Sequence, residues 1–261
     1  MVIGELLQYL REAILNDRTD RVSGTSDYLW TDQTLLTNIN EAHRRFARKG
    51  LVLRDGATPA VTQFLLVAGQ EYYDLHPSVI AVLSARRADQ RTDLTRVGHS
   101  LLGVYRAPTD NWIDPQSYYG NPPGPTLAYS TDEELSVDFE GAMASVVMRV
   151  YPTPSIKEQG KIIQLRVVRN PLVKFTEAHL ALPIGEQPGP EIAEDHHIEM
   201  LDWAAYLALR IVDDDAGAPR RAAEFAANFE EHVKAARLLA MRKLFTPQQW
   251  GFGRGGFSWG S

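Results

Sequence analysis

The 261-residue chain contains no cysteine. Disulfides and thiolate metal sites are therefore excluded. No apolar run reaches about 18 residues, the length a helix needs to cross a bilayer, so no membrane partner is expected. A basic surplus is missing too: 27 Lys and Arg stand against 33 Asp and Glu, a net charge of −6. That balance argues against a general nucleic-acid binder, which needs a basic surface to release counterions from phosphates. It does not exclude a surface that merely lies near DNA. Gly-x-Ser-x-Gly elbows, Walker loops and His-Glu-x-x-His pairs are all absent, and no internal repeat is visible. The expectation is a non-enzymatic protein with no catalytic residue, cofactor or metal. What is present is ordinary for a globular chain, 44% hydrophobic and 23% charged, enough for a sizeable core. The opening MVIGELLQYLREAILNDRTD is amphipathic rather than signal-like, because Glu5, Arg11 and Glu12 interrupt its apolar positions. The expected compartment is the cytoplasm.

Both ends of the chain read as helical. Ile3, Leu7, Leu10 and Ile14 fall on one helical stripe, widened by Leu6. A second helix starts at WTDQTLL, with Thr31 as N-cap and Asp32 at the positive helix start. Leu35, Ile39, Ala42 and Phe46 make its apolar face, and Gly50 is the expected left-handed stop. Arg44, Arg45, Arg48 and Lys49 crowd its last turns. The cluster HRRFARK is compatible with phosphate contact, but a solvated helix end is the favoured reading. Helices return near residue 191. HHIEMLDWAAYLALRIV is apolar almost all round, with Ile198, Leu201, Ala205 and Val212 on one side, which implies burial on most faces. Pro219 opens a last helix whose stripe is Phe225, Phe229, Val233, Ala236, Ala240 and Leu244, closed by Pro247.

Between about 58 and 185 the period changes to that of strands. VTQFLLV, QEYYDL, VIAVLSARR, HSLLGVY, PTLAYST, ELSVDFE, SVVMRVY and IIQLRVV are short and rich in β-branched or aromatic residues. Leu135, Val137 and Phe139 share one face of their strand, as do Ile163, Leu165 and Val167 of theirs. The predicted fold class is α+β. N- and C-terminal helices (1–57 and 186–245) pack as an antiparallel bundle around an inserted antiparallel β sandwich or barrel (58–185), and 246–261 form an extended C-terminal arm.

Two segments hold aromatics without an evident place in a core. The loop 107–125, APTDNWIDPQSYYGNPPGP, carries Trp112, Tyr118 and Tyr119 among prolines. Rigid rings on a stiffened loop lose little entropy on binding and suit a contact surface. The terminus TPQQWGFGRGGFSWGS, residues 246–261, holds five Gly, two Trp and two Phe, with Arg254 its one charge. Glycine resists ordering, while Trp250, Phe252, Phe257 and Trp259 supply apolar area to any partner with pockets for them. Its Gly251-x-Gly253-x-x-Gly256 is a formal dinucleotide fingerprint, but no strand precedes it and no helix follows. Glu194-Asp195-His196-His197 with Glu199 and the run Asp213-Asp214-Asp215 are metal-ligand types. Helix-start carboxylates in the first and a solvated helix end in the second explain them without a metal.

Four stretches, in order, resemble the head-to-tail adaptor (connector, tail tubular A-like) proteins of tailed bacteriophages. They are WTDQTLLTNINEAHRRFARKGLVLRD, YYDLHPSVIAVLSARR with His76-Pro77 after Leu75, VYPTP at 150–154, and EDHHIEMLDWAAYLALRIVDDD. The likeness runs over most of residues 1–245. It implies a structural, non-enzymatic protein of the virion neck, present in the host cytoplasm during assembly. It also implies a homo-oligomeric ring, commonly of twelve copies. Partners would be the portal protein on one side and a tail terminator, nozzle or tail-tube protein on the other. Genome DNA would pass nearby without specific binding. On this reading Trp250, Phe252, Arg254, Phe257 and Trp259 belong to an arm that docks on the portal. A channel wall with excess Asp and Glu would repel DNA phosphates, and of the helical segments 186–245 is the more acidic, with twelve acidic against seven basic residues. The competing expectation is a carbohydrate- or peptide-binding module using loop 107–125.

Overall fold

A computed structural model describes residues 1–17, 28–98, 123–131, 145–210 and 218–244. The chain is mixed α+β. Its helices are α1 (Ile3–Tyr9), which continues as a π-helical segment Leu10–Leu15, α2 (Asp32–Gly50), α3 (Pro59–Thr62), α4 (Glu177–Leu180), α5 (Leu201–Leu209) and α6 (Ala218–Leu244). The strands are β1 (Arg54–Asp55), β2 (Gln63–Leu65), β3 (Tyr72–Asp74), β4 (Val79–Arg87), β5 (Thr95–Arg96), β6 (Pro123–Gly124), β7 (Ala128–Ser130), β8 (Val147–Tyr151), β9 (Thr153–Pro154) and β10 (Ile162–Arg169).

The helices bury one shared face. Leu35, Ile39, Ala42 and Phe46 of α2 are fully buried, as the period requires. They join Ile3, Leu6 and Leu10, Ala204 and Ala208 of α5, and Phe229 and Ala236 of α6 in one cluster. Phe229 stands edge-on to Phe46 at 5.9 Å and lies 5.1 Å from Trp203. The Thr31 hydroxyl accepts the Thr34 N–H at 3.2 Å, so the expected cap forms. Arg11 fixes how α1 meets α2. Its guanidinium bonds Asp17 at 2.7 Å and Asp32 at 2.5 Å.

Two helical expectations need correction. Gly50 is not the left-handed stop; it is the last residue of α2, and Leu51 takes φ 52° instead. The glycine answers a packing need. A Cβ at residue 50 would lie 3.1 Å from Val52 Cγ1 and 3.8 Å from Ala236 Cβ on α6. The stretch from His196 is also less helical than its apolarity implies. Regular α5 begins only at Leu201, after a 3₁₀ turn Glu194–His196. His197 is held to the Ile192 carbonyl at 3.1 Å, which keeps the chain turning, and Ile198 is left 47% exposed.

In the β layer, β10 is the hub of an antiparallel sheet. It pairs with β4 on one side and with β1 and β2 on the other. Ile163, Leu165 and Val167 point into the core, as their alternation predicts. Beyond them the alternation breaks: register shifts at Arg166/Val167 and Val168/Arg169 leave Val167, Val168 and Arg169 all buried. A second sheet, β3-β8-β7-β5, shares its core with the first through Tyr73, Tyr129, Met148 and Val150. The expectation of purely antiparallel pairing fails here. β5 pairs with β7, and β6 with β9, in parallel. Long connections permit this, because parallel neighbours need a crossover of about a dozen residues or more, and residues 97–127 separate β5 from β7. The start of VTQFLLV is helical as well, since Val61 and Thr62 close α3. The predicted strands HSLLGVY and ELSVDFE lie outside the described residues.

Candidate functional site

The contact residues expected from sequence, Trp112, Tyr118, Tyr119, Trp250, Phe252, Arg254, Phe257 and Trp259, lie outside the described residues, as do Asp213, Asp214 and Asp215. Their attachment points are described. The loop 107–125 returns through Pro123–Gly124, paired with β9. The arm follows α6, whose second half leaves Leu238 and Leu239 each 51% exposed, with Met241 exposed beside them. In the β layer Ile156 is 86% and Leu65 57% exposed. Apolar side chains are therefore left uncovered on both layers.

Where the layers meet, β10 ends in a buried charge cluster. Arg169 donates from Nε to Asp55 Oδ2 and from Nη1 to Glu191 Oε2, both at 2.6 Å. Asp55 Oδ1 also accepts the Ala57 and Thr58 N–H groups at 2.9 and 3.0 Å. Glu191 Oε1 accepts those of Leu172 and Val173 at 2.6 and 2.8 Å. Burial raises both carboxyl pKa values. The backbone donors and the guanidinium outweigh it, holding Asp55 well below the usual carboxylate range and Glu191 below it too. His43 of α2 accepts the Glu191 N–H at Nε2, 3.2 Å away, and stacks on Phe175. Burial lowers its pKa to about 4, so the imidazole is neutral at pH 7. Asn40 closes the junction by bonding both the N–H and the carbonyl of Phe175 at 2.8 Å. Sequence reasoning missed this cluster. It carries no reactive nucleophile, and its geometry is that of a joint between layers.

The candidate metal ligands are committed elsewhere. Glu194 and His197 meet at the Met1 ammonium, at 3.0 and 3.3 Å, and His196 bonds Glu199 at 2.6 Å. Among the described residues no group of three or more His, Asp or Glu is placed to hold a metal, and no helix is long and apolar enough to cross a membrane.

The basic end of α2 does not simply face solvent. With α6 it walls an open cleft of about 670 Å³, rimmed by Arg44, Arg45, Arg48, Lys49, Lys234 and Arg237. The sequence singles out the α2 cations of this cleft but favours a solvated helix end for them. The α6 half was hidden because Lys234 and Arg237 flank the apolar stripe at Val233 and Ala236 and look like ordinary solvated positions.

A comparison with curated proteins finds no match. The family model described as SU10 adaptor protein matches residues 1–249, a span that takes in both layers and all four stretches quoted for their resemblance to phage head-to-tail adaptors. The chain belongs to the SU10 adaptor protein family, whose members are structural adaptors of the phage virion.

Proposed function

We propose that this protein is a ring-forming adaptor that joins the portal of a phage capsid to the tail, with residues 246–261 as the arm that docks on the portal. The family match over residues 1–249 carries the reading. Two features support it. Apolar side chains stay uncovered on both layers, at Leu238, Leu239 and Met241 and at Ile156 and Leu65, which a chain made to be gripped by neighbours requires. The aromatic terminus follows α6 in the sequence, next to the exposed Leu238, Leu239 and Met241. In this reading residues 1–57 and 186–245 form the helical unit, 58–185 the β unit, and a closed ring leaves a passage for the genome. Repeated arms would bind multivalently, so modest single-arm affinity suffices.

The test is reconstitution. Purified protein mixed with the portal of its own phage should form closed rings on the portal in electron micrographs. Deleting residues 246–261 should leave a folded, soluble chain that no longer attaches. Attachment unchanged by the deletion would sink the arm, and failure of the intact chain to form rings with its portal would sink the adaptor geometry.

A further inference from the structure

Six cations rim the cleft between α2 and α6, and only two carboxylates, Glu41 and Glu230, share it. Both are engaged. Glu41 takes Arg44 at 2.8 Å; Glu230 bonds Lys49 and lies 3.9 Å from Arg45. Arg48, Lys234 and Arg237 have no ion-pair partner among the described residues, and all three are exposed. The helix dipole accounts for Arg48 and Lys49 in the last turn of α2. It does not account for Lys234 and Arg237, which lie two turns or more before the end of α6, beyond the dipole's reach. Two helices that press like charges toward each other leave a site that an anion stabilises.

The lining narrows the anion's class. Arginine and lysine are donors with no acceptor, and the two carboxylates already accept from Arg44 and Lys49. An acidic peptide would bring a backbone N–H at nearly every residue to a lining that is mostly donors. A phosphodiester backbone presents acceptors only. Four of the six cations are arginines, whose planar fork matches phosphate in a bidentate manner. One phosphate occupies one or two such forks, so six cations on two helices call for several phosphates in a row. Among the described residues no aromatic side chain lines the cleft, so they offer no stacking platform of the kind single strands use. We infer that this cleft binds the phosphodiester backbone of duplex DNA, through its phosphates and without reading base sequence. The inference stands on the cleft alone, and fails or holds independently of ring formation and of the arm.

The experiment is fluorescence anisotropy of the full chain with a labelled duplex of arbitrary sequence at increasing salt. Contact with three or four phosphates predicts a slope of log K against log salt of about −3, a loss of about 40- to 150-fold in affinity between 50 and 200 mM salt. The triple variant Arg48→Gln, Lys234→Gln, Arg237→Gln changes exposed side chains and should keep the wild-type circular dichroism. It should bind at least about tenfold more weakly at 50 mM salt, with a slope near −1. The control triple Lys157→Gln, Arg166→Gln, Lys174→Gln removes the same charge at exposed positions outside the cleft and should bind within about twofold of wild type. A duplex that does not bind at 50 mM salt overturns the proposal. So does equal weakening by the two triples, which would mean diffuse attraction, or tighter binding of poly-glutamate than of duplex, which would mean an acidic protein partner.

Discussion

Replacing Arg169 by Met would test whether the joint between layers is held by charge. Its side chain is 10% exposed, and those of Asp55 and Glu191 are 6% and 17% exposed. Methionine fills much of the volume but leaves two buried carboxylates without their cation. Removing one member of a buried ion pair costs about 3–5 kcal/mol, because the charge left behind is uncompensated. Here the four backbone donors to the carboxylates remain, which places the expected loss near the lower end, about 3 kcal/mol. Urea unfolding at pH 7 followed by tryptophan fluorescence reads it, since Trp30 and Trp203 both sit in the helical cluster. With a urea m value of about 3 kcal/mol/M the midpoint should fall by about 1 M. A second signature is a shallower acid dependence than in wild type. In the wild type both carboxyls have folded pKa values below their unfolded ones, so their contribution is complete above the unfolded values and is lost on acidification through the folded ones. In Arg169→Met the guanidinium's share is lost while the backbone donors still act, so both carboxyl pKa values lie higher than in wild type and less stability is lost on acidification. Adding Asp55→Asn and Glu191→Gln to the variant should recover much of the loss. A midpoint within about 0.3 M of wild type, or no recovery in the triple variant, would refute the charge-held joint.

Wild-type stability should itself fall between pH 6.5 and about 4 through His43, whose folded pKa lies near 4 against 6.5 unfolded. The unfolded chain takes up a proton there that the folded one refuses, for a total of about 3 kcal/mol. His43→Gln, which keeps an acceptor for the Glu191 N–H, should flatten that slope in urea titrations, and an unchanged slope would clear His43 of the effect. Asn40→Ala strips two partners from the Phe175 backbone and should cost about 2 kcal/mol by thermal or urea unfolding; a loss under about 0.5 kcal/mol would show the Phe175 groups finding water instead. Phe229→Ala removes a fully buried ring that packs on Phe46 and Trp203 and should cost about 3–5 kcal/mol. A smaller loss would mean that α6 collapses into the gap.

Local rules were legible wherever one element decides its own outcome. The stripe Leu35, Ile39, Ala42 and Phe46 is buried because a single helix face suffices to bury it, and the Thr31 cap needs only its own turn. Ile163, Leu165 and Val167 follow for the same reason within a strand. The errors begin where packing or a distant partner intervenes. Gly50 reads as a left-handed stop, but the left-handed residue is Leu51, and a Cβ at residue 50 would press on Val52 at 3.1 Å. Parallel pairing of β5 with β7 depends on a path through more than thirty intervening positions, which no window of residues contains. Arg169 meets Asp55 across a separation of 114 positions, so nothing near either residue announces the pair. The acidic and basic totals were read correctly, yet a total carries no geometry.

That last point bears on how a net charge of −6 and a basic cleft coexist. The twelve acidic residues counted over 186–245 all precede residue 232; from there to 245 the chain has Lys234, Arg237, Arg242 and Lys243 and no acid. α6 is thus uneven along its length: Arg220 and Arg221 open it, Glu224, Glu230 and Glu231 follow, and the charged residues after them are all basic. The basic half is the part that faces the Arg44–Lys49 end of α2. A passage that only repels DNA gains nothing from such a concentration, because each exposed cation facing the passage would hold a phosphate and slow the duplex. If the protein forms the proposed ring, either the cleft faces away from the passage, or it grips DNA at one level while acidic residues keep the rest of the wall non-adhesive. The two arrangements differ in one observable. On the ring reading, copies that all grip one duplex add their phosphate contacts, so assembled rings should show a salt slope several times steeper than the free chain. Rings whose slope matches that of the free chain would place the cleft outside the passage.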